Sequence, residues 1–100
     1  MKLMTKEIEK KLPALYETED VALEDKELVA KFFDPCGFWT WYAVEYDSSK
    51  ELFFGYVEGY EKEWGYFSLA ELKSVKTAFG LGIERDMYFD SIKFKELKSV

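Results

Sequence analysis

One hundred residues, 48% apolar and 19% aromatic, supply enough side chain for one hydrophobic core and little for a second, so a single domain over residues 1–100 is expected. The chain has no histidine, and Cys36 is its only cysteine. This removes the commonest general base, the usual partner of a Ser or Cys nucleophile, the commonest transition-metal ligand and any intrachain disulfide. The net charge of −6 is concentrated in residues 17–27 and 45–63, an acidity that repels phosphate backbones, so direct nucleic-acid binding is disfavoured and a basic protein partner fits better.

In chain order, Thr5 is placed to cap a short helix running to Leu12, with Glu7 and Glu9 near its start and Lys10 and Lys11 near its end, each sign favouring the helix dipole. Leu3, Met4, Ile8, Leu12 and Leu15 approximate one apolar stripe, which predicts that this segment lies against a sheet, and Pro13 ends it. Residues 17–25 read as an exposed acidic connection, either a flexible linker or, through Val21 and Leu23, a short anchored strand. Residues 27–33 read as a strand. Asp34-Pro35-Cys36-Gly37 then supplies turn chemistry into a second strand, 38–46. Cys36 itself reads as an ordinary loop thiol, with no nearby base to activate it.

In that second strand, alternation sends Trp39, Trp41 and Ala43 one way and Phe38, Thr40, Tyr42, Val44 and Tyr46 the other. Residues 47–50 turn into a third strand, 52–58, where Phe53, Gly55 and Val57 oppose Leu52, Phe54 and Tyr56. Gly55 suggests close packing or a bulge against a ring, and Gly59 a turn. Residues 59–63 lead to a fourth strand, 64–67. Ser68-Leu69-Ala70-Glu71 is a capping-box signature, opening a helix with Leu69, Leu72 and Val75 on one side and Phe79 just beyond its end. After Gly80 and Gly82, residues 83–89 form a plausible fifth strand. Asp90 or Ser91 is placed to cap a final short helix carrying Ile92, Phe94 and Leu97, with an extended tail as the alternative. The expectation is an α+β fold: a four- to five-stranded, mostly antiparallel meander with two or three short packed helices, and more strand than helix. No apolar run approaches the roughly 18 residues that span a bilayer, and residues 1–12 lack the apolar core of a secretion signal, so the expected location is cytoplasmic, with no membrane contact.

Several segments together resemble one family: residues 3–6 and 11–16 (LMTK, KLPALY), 31–33 (KFF), 39–43 (WTWYA), 52–55 (LFFG), 65–72 (GYFSLAEL) and 83–86 (IERD). It is the small bacterial domain-of-unknown-function family DUF2958, and the likeness covers nearly the whole chain apart from the C-terminal Lys93, Lys95 and Lys98. The resemblance implies no activity, cofactor or catalytic residue for these positions. It does imply a setting on plasmids and other mobile elements, near antirestriction and DNA-processing genes.

Fourteen of the nineteen aromatic residues fall between Phe32 and Phe67, too many for short helices to cover on both faces of a small sheet. Core filling accounts for most of them. A surplus face would form a surface for a protein partner or for self-association, with Trp39, Trp41, Tyr56, Tyr60 and Trp64 as its aromatic part and Glu58, Glu61 and Glu63 as its acidic part. Stacking of single-stranded bases on these rings is disfavoured by the same glutamates. The acidic clusters also permit a decoy that mimics DNA in the groove of a restriction or repair enzyme, although lysines interrupt the rows. Paired carboxylates, Glu58 with Glu61 or Glu84 with Asp86, offer acid/base or cation-binding chemistry, but their spacing matches no calcium loop or nuclease signature. The reading is a non-enzymatic interaction module without a cofactor.

Overall fold

The computed structural model describes residues 2–76 and 79–97. Its strands are β1 (Glu27–Leu28), β2 (Ala30–Phe33), β3 (Thr40–Asp47), β4 (Leu52–Glu58), β5 (Lys62–Ser68), β6 (Glu84–Arg85) and β7 (Ile92–Lys93). Its helices are α1 (Lys6–Lys11), α2 (Leu69–Ser74) and α3 (Phe94–Leu97). The main sheet has the order β5-β4-β3-β2-β6 with every pair antiparallel, and β1 and β7 form a separate two-stranded sheet. The fold is therefore α+β with a meander at its centre and more residues in strands than in helices, as the alternation and turn chemistry predict.

Local chemistry fixes the connections. The Thr5 hydroxyl accepts from the Ile8 amide at 3.2 Å and the Ser68 hydroxyl from the Glu71 amide at 3.0 Å, so these two predicted helix caps form, whereas α3 starts only at Phe94, beyond Asp90 and Ser91. Between β2 and β3, the Asp34 carboxylate accepts from the Cys36 amide at 2.8 Å while the Asp34 amide donates to the Trp39 carbonyl at 3.0 Å. Between β3 and β4, Asp47 accepts from both the amide and the hydroxyl of Ser49, and Glu51 completes the turn in the left-handed region at φ 51°.

The register assigns the two faces. Ala30, Phe32, Trp41, Ala43, Tyr46, Phe53 and Phe67 share one face, where Leu3, Leu12, Leu69, Leu72 and Ile83 close over them. Phe53 is the hub, with ring centroids 4.6 Å from Tyr46, 5.0 Å from Phe67 and 5.5 Å from Phe32. On the opposite face, Tyr42, Val44 and Tyr56 pack with Leu28 and Phe94, flanked by Trp64, Phe89, Ile92 and Leu97. The C-terminal segment thus covers the second face, so the expected one-sided cover is corrected: both faces carry a core. The segment that does this combines the two alternatives read for it, an extended pair at β7 followed by one helical turn.

Other expectations are corrected in detail. The single strand over 27–33 divides at Val29, because β1 leaves the main sheet to pair with β7. Phe38 lies in the loop before β3, and the strand over 83–89 shortens to two residues at the edge beside β2. Tyr46 joins Ala43 on the first face because the β3–β4 register shifts between Ala43 and Glu45, a bulge that inverts the alternation beyond it. A Cβ on Gly55 would stand 1.8 Å from the Tyr42 carbonyl oxygen, so it is backbone, not a ring, that requires glycine there.

The bulge also turns Glu45 inward, where its side chain is buried. Its carboxylate accepts from the Tyr16 amide at 2.8 Å, the Thr18 amide at 3.1 Å and the Thr18 hydroxyl, while the Lys26 ammonium donates to the Thr18 hydroxyl at 2.9 Å and carbonyl at 2.5 Å. The acidic connection is thus neither a flexible linker nor a strand. It is a series of turns ending in a 3-10 turn at Leu23–Asp25, pinned to β3 by one buried carboxylate.

Candidate functional site

The hairpin loops before β3 and between β4 and β5 lie at the same end of the sheet, and their aromatic side chains meet there. Trp39 lies over Gly59, where any Cβ would fall 2.3 Å from the indole, so the glycine read as a turn residue also seats a ring. Trp39 stacks on Trp41 with centroids 5.7 Å apart, and Tyr60 stands edge-on to Trp39 at 5.5 Å and to Phe38 at 5.6 Å. Trp41 is the root of the group, packed against the first-face core. At the tip, Phe38 is 61% and Tyr60 85% exposed, exposures that exclude a core role for either ring.

The eight residues singled out from the sequence divide. Trp39, Trp41 and Tyr60 belong to this patch. Glu63 shares its face, since it pairs with Val57, which pairs with Trp41. Glu61 follows Tyr60 in the same loop, where its carbonyl accepts from the Gly59 amide at 3.0 Å.

Tyr56 and Trp64 lie on the opposite face instead, around the Phe94 ring at 4.6 and 5.0 Å, and Tyr56 is buried there. Glu58 also faces that way, its carboxylate near the Tyr42 phenol and 3.9 Å from the Lys62 ammonium. Burial, then the neighbouring Glu58 carboxylate, pushes the Tyr42 phenol up to about 12. Alternation alone gives Phe38 a strand face, whereas the Asp34 turn holds it in a loop beside Tyr60; Asp34-Pro35 and Gly37 are the sequence signal for where that strand can start.

One member of each proposed carboxylate pair has a cationic neighbour of its own. Glu58 is engaged as described, and Asp86 lies 3.7 Å from the Lys31 ammonium and accepts from the Tyr88 amide at 2.9 Å. Among the described residues, no group of three or more His, Cys, Asp or Glu side chains is placed to hold a metal ion. A groove of about 710 Å³ is open and lined by both Lys2, Lys6 and Lys73 and Glu9, Glu51 and Glu84, so it presents no single charge to a ligand. Among the described residues, no helix is long and apolar enough to cross a membrane.

Fold and site together define a small α+β domain whose covered antiparallel sheet ends in an exposed aromatic cluster beside glutamates. The chain belongs to the family described as protein of unknown function (DUF2958), whose model matches residues 3–95. That match includes Lys93 and Lys95, which the resemblance had left outside it, and Lys98 lies outside the described residues. No curated protein and no solved structure matches the chain.

Proposed function

We propose that this chain is a non-enzymatic interaction module that docks a basic protein segment on the patch formed by Phe38, Trp39, Trp41 and Tyr60. The observation that carries the reading is the pairing of Phe38 and Tyr60: two large rings are held mostly in solvent by contacts to an indole stack rooted in the core. Glu61 and Glu63 on the β5 side complement a partner carrying lysine or arginine, whose cations also favour aromatic faces. The exposed Cys36 thiol is in keeping with a reducing, cytoplasmic setting, and a role on mobile genetic elements accords with the family resemblance.

The competing reading is an acidic decoy for a DNA-binding groove, and salt separates the two. Capture from the source cells with wild type and with a Phe38→Ser/Tyr60→Ser double variant, read by mass spectrometry, is the first test. A partner that the wild type retains and the variant loses supports docking on the rings. Partners released by modest salt from both proteins alike support the decoy instead.

A further inference from the structure

β5 is an edge strand: one side pairs with β4 over all seven residues, and no strand among the described residues lies on the other. Folded proteins blunt such edges with proline, bulges or inward-pointing charge. β5 has no proline and pairs with β4 without a register shift, and its only charged residues, Lys62 and Glu63, stand at the loop end. From Trp64 to Ser68 the edge is uncharged. Nor does α2 double back over it. Leu69 and Leu72 carry that helix across the first face toward Leu3, Tyr46 and Ile83, and the Leu69 amide donates to the Glu51 carbonyl at 2.9 Å.

We infer that β5 pairs with the β5 strand of a second copy of this chain, antiparallel about a twofold axis at Gly65, joining two five-stranded sheets into one. A twofold axis normal to the sheet requires one residue to stand opposite itself. Of the possible centres, Gly65 is the one that pairs the whole strand, Lys62 with Ser68 and Glu63 with Phe67, so no like charges oppose. A centre at Glu63 sets two carboxylates against each other. The Gly65 register also places Trp64 of each copy opposite Tyr66 of the other, a favourable cross-strand aromatic pair.

Both rings are already positioned for that pairing. Phe54 stacks on Trp64 at 5.8 Å and meets Tyr66 at 5.3 Å. Even so, Tyr66 remains 53% exposed in the single chain, the exposure that the partner's Trp64 would remove.

The axis residue supplies the test. Nothing lies within 4 Å of a Cβ built on Gly65, so the single chain tolerates a side chain there, whereas in the dimer the two copies of that side chain face each other. Sedimentation equilibrium of the full chain over a wide concentration range is expected to show a dimer for wild type and for Gly65→Val, whose branched side chains pair well across strands. Gly65→Lys, and Tyr66→Lys as an independent second variant, are expected to be monomers with unchanged circular dichroism. Slowed amide exchange confined to residues 62–68 as concentration rises is the accompanying signature. A wild type that is monomeric throughout overturns the inference, as does a dimer that survives both lysine substitutions. Neither result bears on the Phe38 and Tyr60 patch, which belongs to the loops.

Discussion

Trp41 and Tyr60 show how rings of one cluster divide between support and exposure. Trp41 packs against the first-face core, so Trp41→Ala is expected to cost about 3 kcal/mol in chemical denaturation. Tyr60→Ala removes a ring that is mostly in water and should leave stability within about 1 kcal/mol. Equal midpoints for the two variants would contradict this division. Tyr42 gives a pH signature. Its phenol ionises less readily in the folded chain than in the unfolded one, so the stability it confers is complete below pH 10 and is lost as pH climbs through about 12. Denaturation midpoints should therefore fall over that alkaline interval, and Tyr42→Phe should make the fall shallower; an unchanged slope would separate it from this phenol. Burial raises the Tyr46 and Tyr56 phenols as well, which is why some slope is expected to remain in the variant.

Two elements are held by contacts made far away in sequence. The turns over residues 13–26 follow β3 because Glu45 gathers the amides of Tyr16 and Thr18. Glu45→Ala leaves those donors and the Thr18 hydroxyl without their acceptor, at a cost of about 3 kcal/mol, and should release residues 16–26 to rapid hydrogen exchange. Exchange that stays slow there would mean that another contact holds the loop. The segment from Phe89 to Leu97 closes the second face chiefly through Phe94, which meets both Tyr56 and Trp64. Phe94→Ala is expected to cost about 3–5 kcal/mol and to increase binding of a hydrophobic dye, since the rings beneath it are then uncovered. Wild-type stability in this variant would show that the second-face core does not depend on its cover.

At the scale of the whole molecule, the meander was legible because Phe53, Gly55 and Val57 alternate cleanly with Leu52, Phe54 and Tyr56 and because Asp34 and Asp47 mark their turns. The bulge was not, since Val44, Glu45 and Tyr46 read equally well as unbroken alternation. A carboxylate in mid-strand was the one signal that something there must be satisfied. The candidate site was half legible. Density of rings pointed to the right loops for Trp39, Trp41 and Tyr60, but face assignment alone could not tell that Tyr56 and Trp64 lie under Phe94, a contact set by residues some thirty positions or more away in the chain. The rings that the core leaves in solvent, Phe38 and Tyr60, therefore stand at the loop end of the sheet, where docking is proposed.

The most direct measurement is calorimetric titration of the purified captured partner into wild type and into Phe38→Ser/Tyr60→Ser, each at low and at raised salt. The double variant is expected to lose at least about tenfold in affinity, or 1.4 kcal/mol, at unchanged fold stability, with wild-type binding retained in the higher salt. Equal affinities for the two proteins, with both collapsing as salt rises, would contradict it and leave charge as the basis of recognition.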